Sequence, residues 1–213
     1  MTASTPLPIP LSDSALLVVD IQDSFKALPG RWAGRNNLRF EDNVTRLLAA
    51  YRAAGLPVVF VLHSDPDEGF ATDSPFYRLM DFLERRETEP LVHKNTRNAF
   101  TSTRLGELLA ERGVRRLVIC GITTEQCCET TTRVAADLGY DVDFVTEATL
   151  TFDIPETAPG KGDGLAAADI VRRTEAVLRG RFARLATVDG LVSDLGELFP
   201  LPETAEAAAA CSA

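Results

Sequence analysis

The stretch Leu117-Val118-Ile119-Cys120-Gly121-Ile122-Thr123-Thr124-Glu125-Gln126-Cys127-Cys128-Glu129-Thr130-Thr131-Thr132-Arg133 joins an apolar run of strand length to a helical pattern, with one glycine at the break. A strand that stops at a glycine and turns at once into a helix is the joint of a βα unit. Thr123 is placed to cap that helix, and Gln126, three residues on, completes a Thr-x-x-Gln capping box. Cys127 falls in the first turn. Free backbone N–H groups there carry partial positive charge, which favours a thiolate over a thiol.

Similar joints occur on both sides. Continuous apolar or extended segments at residues 15–21, 57–62, 91–94, 116–120, 141–146 and 183–188 read as strands. Between and after them, helical periodicity covers 41–55, 75–86, 101–112, 124–138, 165–178 and 190–199, with Gly55, Gly113, Gly139 and Gly180 just past helix ends. Six strand–helix repeats predict an α/β, three-layer α-β-α fold: a six-stranded parallel sheet in the Rossmann-like order 3-2-1-4-5-6, joined by right-handed crossovers. No internal repeat or boundary divides the chain, so a single domain is expected over 1–213, with an extended lead at 1–12 and a loose Ala-rich tail at 201–213. The connection 149–164 is long and has the character of a lid. Its Gly160-Lys161-Gly162-Asp163-Gly164 follows no strand and lacks the spacing of a phosphate loop.

The chain has 213 residues, 45% apolar and 25% charged, with a formal net charge of −9. That length suits one α/β domain with a full core. The acidity argues against nucleic acid or an anionic membrane as partner and leans toward cationic or neutral substrates. Residues 1–10 lack a basic leader region, and the longest apolar runs are only strand-sized. The four cysteines, Cys120, Cys127, Cys128 and Cys211, form neither a disulfide framework nor a metal spacing, so a reducing cytoplasm is the expected location.

In open parallel sheets, functional groups gather beyond the carboxyl ends of the strands, where the strand order reverses. Asp20 ends the first strand, Lys94 ends the third, and Cys127 lies just past the fourth. In the order 3-2-1-4-5-6, Asp20 and Cys127 face one crevice, and Lys94 reaches in from two strands away. A carboxylate can take the thiol proton, a lysine can stabilise developing negative charge, and backbone N–H groups between Ile122 and Cys127 can hold an oxyanion. The chemistry implied is acyl transfer. Taken singly, each residue also has an ordinary structural reading: Asp20 as a turn aspartate, Lys94 as a solvated strand end, Cys127 as inert packing. Cys128 competes with Cys127 for the nucleophile's place. His93 should point away from Lys94 by strand alternation, and His63 falls on a loop. Phe25, Trp32, Phe100, Ile122 and Gln126 are candidates for a pocket wall, with core packing or subunit contact as the alternative for the aromatics.

Three blocks resemble the isochorismatase-like cysteine hydrolases. Gly121-Ile122-Thr123-Thr124-Glu125-Gln126-Cys127 resembles their G-x-x-T-x-x-C signature, and Val18-Val19-Asp20-Ile21-Gln22-Asp23-Ser24-Phe25 resembles their first-strand V-D-x-Q-x-x-F. His93-Lys94-Asn95-Thr96-Arg97-Asn98-Ala99-Phe100-Thr101-Ser102-Thr103 resembles their K-x-x-x-(S/N)-A-F-x-x-T block, and the resemblance spans about residues 13 to 190. It implies Asp20 as base, Lys94 as charged helper and Cys127 as nucleophile. It also implies a cis peptide between Ile122 and Thr123, and an oxyanion hole from the Thr123 and Cys127 backbone N–H groups. It further implies a small-molecule substrate and a homodimer or homotetramer. The Asp-x-His of the metal-binding members is absent, since Val61-Leu62-His63-Ser64-Asp65 stands there. No metal or other cofactor is therefore expected, nor nicotinamidase activity. The cysteine shifts weight to C–N bond hydrolysis, in the manner of the streptothricin hydrolase branch. A vinyl-ether hydrolase and a non-catalytic binding protein are the alternatives.

Overall fold

The computed structural model describes residues 9–27, 29–66 and 69–200. Most of the N-terminal lead, the Ala-rich tail and Cys211 lie outside the described residues.

Six parallel strands form one sheet: β1 (Ser14–Val19), β2 (Val58–His63), β3 (Leu91–Lys94), β4 (Arg116–Ile122), β5 (Asp141–Leu150) and β6 (Arg184–Leu185). Their order is β3-β2-β1-β4-β5-β6, as the sequence predicts. Every residue of β1 is buried, because helices cover both faces of the sheet and leave no polar side for alternation. Alternate residues feed two separate cores. Leu16 and Val18 pack with Phe40, Val44, Leu47, Leu48 and Tyr51 of α2 (Phe40–Ala53) and with Val188, Leu191 and Leu195 of α6 (Val188–Leu198). Ala15, Leu17 and Val19 pack with Leu105 and Leu109 of α3 (Leu105–Ala110), Ala135 of α4 (Glu129–Asp137) and Leu178 of α5 (Ala167–Leu178). A short α1 (Pro29–Ala33) follows β1. The α2 residues recur at helical spacing, and each fully buried aliphatic or aromatic side chain contributes about 1.5–3 kcal/mol of transfer free energy.

Three segments differ from expectation. Residues 75–86 form turns and one 3-10 turn, Asp81–Leu83, rather than a helix. The chain leaving β1 takes this segment's hydrogen bonds: Met80 N–H donates to the Ile21 carbonyl at 3.1 Å, and Asp23 N–H donates to the Arg78 carbonyl at 2.9 Å. Met80 and Leu83 are both buried, a spacing of three that a 3-10 turn satisfies as well as a helix does. The helix expected over 101–112 shrinks to α3, because Asn98 Oδ1 accepts from the N–H groups of Phe100 and Thr101 and holds that stretch in a turn. β5 runs on to Leu150, where Thr149 and Leu150 pair with Gly121 and Ile122 past a register shift. The long connection therefore begins later, and the antiparallel bridge Ile154–Leu165 pins its base.

Candidate active site

The ends of β1 and β4 approach very closely. Gly121 has φ +143°, and a Cβ there would lie 2.0 Å from the Val19 carbonyl oxygen, so only glycine fits. The peptide bond between Ile122 and Thr123 is cis. Residues Thr124–Cys128 then form a π-helical turn, with Cys128 N–H donating to the Thr123 carbonyl at 3.2 Å, before α4 begins. The expected capping box does not form. Thr123 Oγ1 donates instead to Glu125 Oε1 at 3.1 Å, and Thr151 Oγ1 donates to Glu125 Oε2 at 2.6 Å. Glu125 ties the turn to the end of β5 and takes the partner that Gln126 was expected to have. Gln126 stays exposed.

Asp20, just past β1, has φ +52° and is fully buried. Beside it, Gln22 stitches β1 to β2: its Nε2 donates to the His63 carbonyl at 3.0 Å, and its Oε1 accepts from the His63 N–H at 2.7 Å. Lys94 closes β3, and its ammonium meets three groups, two as hydrogen-bond acceptors and one as an ion-pair partner. Nζ lies 2.7 Å from Asp20 Oδ2, 3.1 Å from the Thr96 carbonyl and 3.3 Å from Cys127 Sγ. The close Nζ–Oδ2 approach is an ion pair by distance, yet neither Asp20 oxygen accepts a well-aligned hydrogen bond. Burial raises the Asp20 carboxyl above the ordinary carboxylate range, against the pull of Lys94. Burial, reinforced by the Asp20 charge, pushes the Cys127 thiol up to about 12, with Lys94 opposing. The resting cysteine is therefore a thiol. The helix-terminus argument for a thiolate fails because desolvation of a nearly enclosed sulfur outweighs the N-terminal partial charge.

Cys127, 5% exposed, lies at the wall of a pocket of about 180 Å³ lined by Phe25, Arg31, His63, Asp65, Phe70, Arg97, Thr123, Gln126 and Cys127. Of the expected wall residues, Phe25 and Gln126 are present and three are not. Ile122 is wholly buried in the α2-side core. Phe100 packs against Tyr140 with ring centroids 5.8 Å apart. Trp32 lies beneath Arg35, whose guanidinium carbon is 4.7 Å from the ring centroid. Cys128 is fully enclosed in the other core, beside Cys127 in sequence but away from the pocket. His63 is the last residue of β2, not part of a loop. His93 is exposed and meets the Tyr77 hydroxyl at 2.9 Å, opposite to Lys94 as strand alternation requires.

Arg31, Asp65, Phe70 and Arg97 line the pocket although the sequence did not single them out. Arg97 was within reach of inspection, three residues after Lys94. Of the other three, Arg31 comes from the short α1, and Asp65 and Phe70 come from the connection after β2; no local pattern encodes their convergence. Among the described residues, no cluster of three or more His, Cys, Asp or Glu is placed to hold a metal ion.

Residues 14–159 match the isochorismatase domain model. A streptothricin hydrolase of Streptomyces noursei is 36% identical over 162 residues, covering 76% of this chain and 58% of that protein. Nicotinamidase 3 of Arabidopsis thaliana is 34% identical over 158 residues, covering 66% of this chain and 74% of that one. The crystal structure of an isochorismatase-family protein from Chromobacterium violaceum ATCC 12472 superposes with a TM-score of 0.80 at 29% identity, covering 92% of this chain and 100% of that one. With that sheet order and these matches, the chain belongs to the isochorismatase family of hydrolases.

Proposed function

We propose that this hydrolase cleaves a C–N bond, in an amide or lactam of a small molecule, through a thioester on Cys127. The observation that carries the reading is Lys94 Nζ, seated between Asp20 Oδ2 at 2.7 Å and Cys127 Sγ at 3.3 Å beside an open pocket. Relatives named streptothricin hydrolase and nicotinamidase support hydrolysis of this general kind.

A protonated thiol next to a buried carboxylate suits a step in which proton and nucleophile move together. Asp20 accepts the Sγ proton as sulfur bonds to the carbonyl carbon. Lys94 steadies the charge on sulfur and carboxylate throughout. The backbone N–H groups of Thr123 and Cys127 stabilise the tetrahedral oxyanion. The C–N bond then breaks, and the departing nitrogen takes the proton from Asp20. Water attacks the thioester, gives a proton to Asp20 and releases the acid, and that proton returns to Sγ. The sum is amide plus water giving acid plus amine.

The test is a quenched reaction followed by peptide mass spectrometry. An acyl adduct is expected on the peptide containing Cys127. Cys127→Ala should lower kcat by roughly 10⁴-fold or more, as loss of a covalent nucleophile does elsewhere. Full turnover in that variant refutes the thioester.

A further inference from the structure

The chain carries a formal net charge of −9, but the pocket does not share it. Lys94 and Asp20 cancel at the floor. At the rim stand two guanidinium groups, Arg31 and Arg97, and one carboxylate, Asp65, whose Oδ2 is 3.5 Å from Arg97. Burial, then the charges of Lys94 and Arg97, lower the His63 pKa to about 4, so the ring is neutral at physiological pH. Among the described residues lining the pocket, one positive charge is in excess.

The His63 ring adds a directional feature. An Arg97 guanidinium nitrogen lies 2.5 Å from His63 Nε2. A guanidinium donates and does not accept, so this contact assigns the lone pair to Nε2 and the proton to Nδ1; Asp65 Oδ2, 3.7 Å from Nε2, is the one competing acceptor among the described residues. Nδ1 is buried and has no hydrogen-bond partner. A buried donor left unpaired costs about 1–3 kcal/mol, which a ligand acceptor would recover. Arg31 stacks over Phe152, 4.7 Å from its centroid, and pairs with no carboxylate among the described residues. Phe25 and Phe70 meet edge to face at 5.0 Å and form the apolar wall. A volume of about 180 Å³ is small beside the roughly 300–1,000 Å³ typical of sites for drug-sized ligands.

We propose that the substrate is a compact amide bearing a carboxylate, held by Arg97 and Arg31 against the Phe25–Phe70 wall, with the His63 Nδ1–H donating to one of its oxygens. This inference rests on the reading of Cys127 as the acyl-enzyme nucleophile. It reverses the lean toward cationic substrates that the chain's acidity suggests, since the groups nearest a ligand outweigh distant, screened charges.

Calorimetry on the full chain with benzoate and benzyl alcohol, matched in size and different in charge, tests it. Benzoate should bind about tenfold tighter or more, the worth of one charge-assisted hydrogen bond. Arg97→Gln and, separately, Arg31→Gln should each shrink that advantage while leaving benzyl alcohol binding unchanged. Equal affinities, absent benzoate binding, or an advantage that survives in both variants overturns the inference. A search for the acyl adduct on the Cys127 peptide in quenched reactions with neutral and carboxylate-bearing amides, in the same preparations, tests the underlying reading separately. An adduct without benzoate preference sinks the anion site alone. Benzoate preference with no adduct keeps the anion site and sinks the thioester.

Discussion

The floor of the pocket consists of Asp20, Lys94 and Cys127, at 0%, 1% and 5% exposure, each fixed at or just past the carboxyl end of a parallel strand. Its rim consists of Arg31, Asp65, Phe70 and Arg97, all at least partly exposed and carried on the short helix α1 (Arg31) or on connections between elements. The floor is held by the sheet register and by desolvated charges that tolerate almost no displacement. The rim is held by side-chain stacking and water-facing ion pairs, which are individually weak. The contrast assigns reaction type to the floor and substrate choice to the rim. It makes substitutions at the floor costly in both activity and stability, and substitutions at the rim costly in affinity alone.

The strongest challenge to this contrast is at the Asp20–Lys94 pair. Asp20→Asn should lower kcat by roughly 10³-fold and destabilise the fold by about 3 kcal/mol, since it leaves the buried Lys94 ammonium without its counter-charge. Urea denaturation and initial rates read the two effects. A variant that loses activity at full stability would show that the floor is not structurally coupled. Gly121→Ala should cost on the order of 4 kcal/mol or more, because the added Cβ meets the Val19 carbonyl oxygen. A soluble, fully active Gly121→Ala protein would contradict the close approach of β1 and β4.

His63 sits at the boundary between floor and rim, and pH separates it from both. Its folded pKa, about 4, lies below the ordinary 6.5. The sign follows: its contribution to stability is present above 6.5 and is lost as pH falls toward 4. Asp20 works in the opposite sense. Its raised pKa gives stability that is present at low pH and lost as pH rises through the folded value. Denaturation of His63→Gln across that acidic range should show a shallower loss than wild type, and identical curves would break the assignment. In kcat/KM, the acid limb should fall above the usual carboxylate range of about 4, because Asp20 must be ionised to accept the thiol proton. A limb at or below that value would remove Asp20 as the base.

The smallest effect sharpens the boundary of the rim. Phe100 packs on Tyr140 away from the pocket. Phe100→Leu should cost about 1 kcal/mol of stability while kcat/KM stays within about twofold. A large change in KM would return Phe100 to the pocket wall.

Much of the floor could be read without coordinates, and for a physical reason. Parallel strands buried on both faces must be continuous apolar runs, and such runs end where the chain leaves the sheet. Asp20, Lys94 and Cys127 each mark such an exit, so strand order alone brings them together. Cys127 and Cys128 were harder to separate. Burial of one in the α4–α5 side core and exposure of the other to the pocket depend on the π-helical turn, which changes the angular spacing assumed for an α-helix. The capping box failed for a related reason: Glu125 found partners in Thr123 and in Thr151 of the next connection, a residue 26 positions away.

The sequence by itself determined the strand–helix rhythm and the three residues at the strand ends, because each follows from local apolar pattern, and the expected sheet order is the one the structure shows. Only the tertiary structure decided the protonation of the thiol, the neutral His63 and the guanidinium rim. Desolvation and charge depend on which groups are brought within a few ångströms of each other, and here those groups come from strand ends, a short helix and connections that share no sequence pattern.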